Sequence, residues 1–190
     1  PMTGAARIAA MSGDGWRRDG QRGVLAGWLR DRAIEQGQTE RALAAGVIAF
    51  QEITEAATYR QLEQLAGSGW PELKLSLLEF LRTDARPYTD VKVAIFLSED
   101  LLDDAIKTVE SHYTSSETLA QVMDAAIKTQ HRLDWVIAQA RQQAEPIMNE
   151  GKSAHYEDAA MWLRKAKKAH DALGQNAEWR SYLGALRDKH

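Results

Sequence analysis

The 190-residue chain contains no cysteine, which excludes disulfides and thiolate zinc sites. No apolar run approaches the roughly 20 residues that a membrane-spanning helix needs. The apolar segment 8–11 is also too short for the apolar region of a signal peptide. From these absences we expect a cytoplasmic protein with no membrane partner.

The short motifs that carry common chemistry are missing as well. There is no glycine-rich phosphate loop, no G-x-S-x-G elbow and no H-E-x-x-H pair. The five histidines include no pair spaced as i, i+4. The acidic cluster Glu99, Asp100, Asp103 and Asp104 lacks calcium-loop spacing, and carboxylates in a helix's first turn are favoured by the helix dipole. We therefore predict no catalytic residue, cofactor or metal ligand, and no enzyme.

Helical periodicity runs through most of the chain, because apolar residues recur at spacings of three and four. Leu25, Trp28, Leu29 and Ala33 mark the first amphipathic helix. We read about ten helices joined by short loops and expect an all-α fold, an irregular α-α superhelix of stacked hairpins resembling a degenerate tetratricopeptide solenoid. The predicted helices cover approximately 22–36, 39–50, 55–66, 70–81, 91–97, 99–109, 115–127, 133–148, 156–173 and 176–186.

Several helix boundaries carry their own signals. The apolar run 93–97 is also compatible with a strand, and we favour a helix because its neighbours are helical. Pro146 predicts a kink or break, and Gly174 suits a left-handed helix end. The predicted caps are Asp90, Ser115 or Ser116, Ser153 and Asn176.

Residues 1–20 carry four glycines and no sustained period, and the chain opens on proline. We interpret them as a flexible leader and 21–190 as a single helical-repeat domain. The segments 37–50, 98–110 and 156–170 share a helix start in which an acidic residue precedes alanine. Their unequal spacing does not fit a strict tetratricopeptide repeat.

Four runs carry a family resemblance: WPELKLSLLEFLR (70–82), AIFLSEDLLDDAI (94–106), the stretch 144–170 with its PIM-x-x-GK segment, and AEWRSYLGALRDKH (177–190). Together with the WL-x-KA and EW-x-x-YL pair, they resemble the C-terminal helical region of bacterial SWIM zinc finger proteins, over 23–190. In that family a Cys and His zinc motif lies N-terminal to this region. The resemblance therefore implies a C-terminal fragment without the finger, in a family where the finger suggests nucleic-acid or protein interaction.

The closing segment 151–190 has eight basic and five acidic residues, a net charge of +3 in a chain of net charge −3. Its cations could form a solvated face or contact an anionic partner. The candidate residues are Arg164, Lys165, Lys167, Lys168, Arg180 and Arg187.

His170 is interpreted as a hydrogen-bonded packing residue. The tryptophans are interpreted as core residues rather than platforms for bases.

The prediction for function is a non-enzymatic helical scaffold, the C-terminal region of a SWIM zinc finger-like protein, that binds a protein partner or its own parent chain. The alternative is an accessory nucleic-acid-binding module that uses the basic face of the closing hairpin. The sequence leaves the oligomeric state and the identity of the partner open.

Overall fold

The computed structural model describes the backbone of residues 4–149 and 156–189, and the side chains of 20–149 and 156–189. Within these ranges the regular structure is helical and no strand occurs, which confirms the all-α prediction. The run 93–97 lies inside a helix. The helices are α1 (Gly4–Glu35), α2 (Thr39–Glu52), α3 (Ala56–Ala66), α4 (Trp70–Thr83), α5 (Thr89–Ser98), α6 (Leu102–Ser111), α7 (Ser116–Thr129), α8 (Leu133–Asn149), α9 (Tyr156–Leu173) and α10 (Asn176–Lys189).

The chain divides into two compact units, Pro1–Glu99 and Asp100–His190. The first unit holds α1 to α5, with a 3₁₀ turn at Gly67–Gly69 before α4, and the second holds α6 to α10. α1 begins at Gly4, much earlier than the predicted start at Arg22, because the glycine-rich stretch gives no periodic signal. A flexible leader and a single repeat domain stay predictions.

The core of the first unit is built around Phe50. In this unit α2 packs against α1 and α3, and α3 packs against α4 and α5. The Phe50 ring is fully buried, with its centroid 5.9 Å from that of Tyr59 and 6.1 Å from that of Phe80. Tyr59 in turn meets Trp70 edge to face, with centroids 5.0 Å apart. Aromatic pairs of this kind join α2, α3 and α4 into one core.

α1 is joined to the rest of its unit through small residues. Gly23, Ala26 and Ala33 are buried. A Cβ atom at Gly23 would lie 2.7 Å from Cγ1 of Ile53, directly after α2, so the backbone there fits only glycine without rearrangement. Gly46 of α2 is equally confined, since its Cβ would lie 2.8 Å from Cδ2 of Leu62. Small residues let these helices approach closely and leave the larger side chains of α1 on its other face.

Arg86, between α4 and α5, ties that connection to the end of α2. Its guanidinium donates hydrogen bonds to the carbonyls of Gln51 and Glu52, which the helix itself leaves unpaired, and it pairs with Asp84 at 2.9 Å. Burial works to raise the pKa of Asp84, but the hydrogen bonds and charge of Arg86 outweigh it and lower that pKa overall. The buried Lys92 of α5 donates to the Asp84 carbonyl. The connection is therefore held by charge-assisted hydrogen bonds.

In the second unit, α7 packs against α6, α8 and α9, α8 packs against α9, and α10 packs on α9. Polar contacts also join its helices. The Trp135 indole N–H donates to the Glu110 carboxylate at 2.9 Å, and the Tyr182 hydroxyl donates to Glu145 at 3.1 Å. Burial, followed by the charge of Glu145, raises the pKa of Tyr182 to about 12. The buried apolar residues of this unit are Leu102, Ala105, Ile106, Leu119, Val122, Met123, Ala126, Leu133, Trp135, Val136, Ile137, Ala140, Ala144, Ala159, Trp162, Ala166, Ala169, Trp179, Tyr182 and Leu186.

The helix boundaries test the predicted local signals. Ser115 caps α7 by accepting a hydrogen bond from the Thr118 N–H, and Gly174 has φ +72°, as predicted. α8 continues through Pro146 to Asn149, so the predicted break is wrong, and the alternative of a kink stays a prediction. Asp90 and Asn176 lie inside the first turns of α5 and α10 rather than at their caps, because α5 begins two residues and α10 one residue earlier than the cap prediction requires. Ser153 lies outside the described residues.

Candidate functional site

Four of the six candidate cations lie on α9, and they do not share one surface. Arg164, Lys167 and Lys168 are exposed, whereas Lys165 is buried. Lys165 is one residue, or about 100° of helix rotation, from Arg164, which turns it toward α7. Counting Lys165 as part of an exposed basic face was therefore wrong.

The buried Lys165 has specific partners on α7. Its ammonium donates hydrogen bonds to the Asp124 carboxylate and to the Ala120 carbonyl, the latter at 3.2 Å. A lysine side chain can bury its methylene stem while its charged end finds acceptors. This residue therefore holds α9 against α7 and is not available to a ligand.

The remaining basic residues differ in how they are paired. Lys167 forms an ion pair with Asp171 one turn later, at 2.8 Å. Arg180 of α10 donates to the Asn176 carbonyl at 3.1 Å. No ion pair joins Arg164, Lys168 or Arg187 to a residue in the described parts of the chain. Exposed acidic residues are interspersed among them, at Glu157, Asp158, Asp171, Glu178 and Asp188. The surface is mixed in charge rather than uniformly basic.

A second exposed surface lies on α1, where the apolar spacing of the sequence predicted the apolar face of an amphipathic helix. Four large apolar residues here, the α1 stripe, are substantially exposed: Val24 (68%), Leu25 (56%), Trp28 (61%) and Leu29 (46%). The interpretation of the tryptophans as core residues holds for Trp70, Trp135, Trp162 and Trp179, and it is wrong for Trp28. Periodicity identified these residues as one face of a helix, but it did not reveal that the small face of α1 is the one packed inward.

A cleft of about 350 Å³ adjoins the α1 stripe between α1 and α2. Its apolar part is formed by Trp28, Leu29, Ala33 and Ala45, and its polar lining includes two arginines and two glutamines. We call it the α1–α2 cleft. Its complete lining is Trp28, Leu29, Arg32, Ala33, Gln36, Gln38, Arg41 and Ala45. An apolar floor with a few polar groups at its edge is typical of a binding groove.

The acidic cluster predicted from the sequence is divided among structural contacts. Glu99 accepts hydrogen bonds from the Tyr59 hydroxyl at 3.1 Å and from Lys74 at 2.9 Å. Burial and the neighbouring Glu99 raise the pKa of Tyr59. Asp103 contacts His131 at 3.3 Å and Arg132 at 3.0 Å. The hydrogen bond from His131, with the charges of both partners, lowers the pKa of Asp103. The carboxylates of Glu99 and Asp103 are therefore engaged in hydrogen bonds and ion pairs that hold the fold together.

His170 packs where its apolar stripe predicts, against Trp179 with ring centroids 5.7 Å apart. It is buried, yet neither ring nitrogen has a hydrogen-bond partner among the described residues. The predicted packing role holds, and the predicted hydrogen bond is absent from this part of the chain.

Two further properties concern only residues 4–149 and 156–189. No three His, Asp or Glu side chains among residues 20–149 and 156–189 form a group that could hold a metal ion. None of the described helices is both long and apolar enough to cross a membrane.

Comparisons of the chain with protein-family models, curated proteins and solved structures find no match.

Proposed function

We propose that the chain is a non-enzymatic helical-repeat scaffold, an irregular α-α superhelix related to the C-terminal region of SWIM zinc finger proteins, that binds another protein or part of its parent chain. The observation that carries this proposal is the α1 stripe. Burying a Leu or Trp side chain contributes about 1.5–3 kcal/mol, and here several lie together in water. Large contiguous apolar patches on a folded protein are characteristic of interaction surfaces.

The polar groups support the same proposal. The described carboxylates and tyrosines with shifted pKa values, at Tyr59, Asp84, Asp103 and Tyr182, are each held by neighbouring side chains that join elements of the fold. Such ion pairs and hydrogen bonds stabilise the packing of the helices, and each of these groups is already bound to a neighbouring side chain. A scaffold needs these groups only for packing, and we also propose that it is cytoplasmic.

Capture from a lysate of the source organism tests the proposed function. Immobilised wild-type chain should retain specific proteins, and a Leu25→Ser, Trp28→Ser double variant should lose them, because binding depends on apolar burial. Leu75 is a matched control, since it is 66% exposed on α4. The Leu75→Ser variant should capture the same proteins as wild type. Equal capture by the wild type and the double variant would contradict the proposal.

Nucleic-acid binding is the second candidate function. It is favoured by the exposure of Arg164, Lys168 and Arg187 without ion pairs to described residues. Phosphate contacts depend on such free cations, and each releases counterions, so binding weakens steeply with added salt.

Filter binding of a single-stranded oligonucleotide at low and high salt tests this candidate. If it is correct, the Arg164→Glu, Lys168→Glu variant should bind about tenfold more weakly at low salt and show a shallower salt dependence. Lys128 is an exposed cation on α7 and provides the control, Lys128→Glu. Undiminished binding by the double variant, or no binding by wild type at low salt, rules the candidate out.

A further inference from the structure

The α1 stripe and the α1–α2 cleft form one continuous surface. Trp28 and Leu29 belong to both, so an apolar ligand lying along the stripe also reaches the cleft. The surface extends over residues 24–33, about 15 Å along the helix axis, or nearly three helical turns. A partner helix of similar length could cover it.

The charged side chains that line the cleft are of one sign. The cleft lining contains Arg32 and Arg41 and no carboxylate. Arg32 forms an exposed pair with Glu35 at 2.8 Å, and Arg41 donates to the Gln38 amide at 2.9 Å. Exposed pairs of this kind contribute at most about 1 kcal/mol, so both guanidiniums can exchange them for a ligand carboxylate. An acidic partner is therefore complementary to the edge of the cleft.

On the basis of the proposed function, we infer that the α1 stripe and the α1–α2 cleft bind an acidic amphipathic helix of another protein. Its apolar residues, at i, i+3, i+4 and i+7, would cover Leu25, Trp28 and Leu29. Its carboxylates would pair with Arg32 and Arg41. This is the helix-in-groove mode, in which apolar anchors supply affinity and charges at the edge select the partner.

A second copy of the chain fits this surface less well. Two copies meeting through the same cleft would each bring Arg32 and Arg41, and the carboxylate beside Arg32, that of Glu35, already pairs with it in each copy. Like charges brought together at an interface oppose association. The charge of the lining thus favours a different, acidic chain.

Stapled helical peptides of about 14 residues test the inference, because a staple removes the cost of ordering a short helix. One peptide carries a leucine stripe flanked by glutamates, a second replaces the glutamates by lysines, and a third keeps the glutamates and replaces the leucines by serines. Fluorescence anisotropy measures the binding of each labelled peptide to the full chain. We expect the glutamate peptide to bind about tenfold more tightly than the lysine peptide, and the serine peptide not to bind.

Variants of the chain separate the apolar contribution to binding from the contribution of charge. Trp28→Ala should weaken binding of the glutamate peptide by about 30-fold, as expected for a central tryptophan anchor. Arg32→Gln with Arg41→Gln should bring the glutamate-to-lysine preference close to one and leave apolar binding in place. Leu75→Ala should change neither. Far-ultraviolet circular dichroism and the unfolding midpoint should match wild type for all these variants, since the replaced side chains are exposed.

Any one of three peptide results would overturn the inference: equal binding of the glutamate and lysine peptides to wild type, undiminished binding to Trp28→Ala, or no peptide binding. A concentration-dependent dimer in sedimentation, lost in Trp28→Ala, would also overturn it and assign the stripe to a second copy. If lysate capture depends on the stripe but no peptide binds, the helix inference fails and the proposed function stands. If the peptides bind as expected but lysate capture does not depend on the α1 stripe, the proposed function fails, while the inference that this surface binds an acidic helix stands.

Discussion

Replacing Lys165 by glutamate is expected to lower the free energy of unfolding by about 3 kcal/mol. The wild-type ammonium lies between the Asp124 carboxylate and the Ala120 carbonyl. A glutamate there would place a second negative charge against both acceptors. The Lys165 side chain is 10% exposed and that of Asp124 is 61% exposed, so water relieves part of the repulsion. We therefore expect the lower end of the range for a broken buried pair.

Urea denaturation followed by circular dichroism measures this effect, and Lys165→Met separates charge from packing. Methionine keeps most of the buried stem and leaves the largely exposed Asp124 to be hydrated, so its cost should stay below about 1 kcal/mol. Arg164→Glu, one residue away and exposed, should change stability by no more than about 0.5 kcal/mol. A loss for Lys165→Glu as small as that for Arg164→Glu would contradict the buried position of this lysine.

The same contrast matters for nucleic-acid binding. A charge reversal at Lys165 would reduce binding by destabilising the second unit, since this lysine is buried and does not contact a ligand. Arg164 and Lys168 are the positions where a charge reversal reports on the surface itself.

Replacing Phe50 by alanine is expected to lower the free energy of unfolding by about 3–5 kcal/mol. The ring is fully buried, and its contacts with Tyr59 and Phe80 join three helices. Alanine would leave a cavity that the surrounding helices can fill only in part. The lost contacts and the cavity both destabilise the folded chain.

Unfolding by urea again supplies the measurement, with two comparisons. Phe50→Leu keeps most of the volume and should cost less than about 1.5 kcal/mol. Tyr113→Ala removes an aromatic side chain that is 96% exposed and should be nearly neutral. If Phe50→Ala is no more destabilising than Tyr113→Ala, the core of the first unit is not organised around this ring.

The helix positions were largely predictable because they follow from local chemistry. The apolar spacing of α9 predicted its extent from Tyr156 to Leu173, and α4 begins at Trp70, the first residue of the predicted range 70–81. The predicted helix boundaries were wrong where a residue type that disfavours helix lies in a segment that tertiary packing keeps helical. α8 passes through Pro146 because the rest of its apolar face is packed, and α1 continues toward Gly4 through a stretch of glycines that shows no period.

The sequence by itself determined that this chain is helical and where its apolar and basic side chains recur, since both depend on residue type and on 3.6-residue periodicity. Tertiary packing decided which face of each helix is covered. It turned Gly23, Ala26 and Ala33 inward and left Trp28 outside, because small residues allow a closer approach between helices. It also buried Lys165 beside Asp124 while its neighbour Arg164 remained in solvent. A periodic pattern gives the angle between two side chains on a helix, but the direction of the neighbouring helix is set by contacts between residues far apart in the chain.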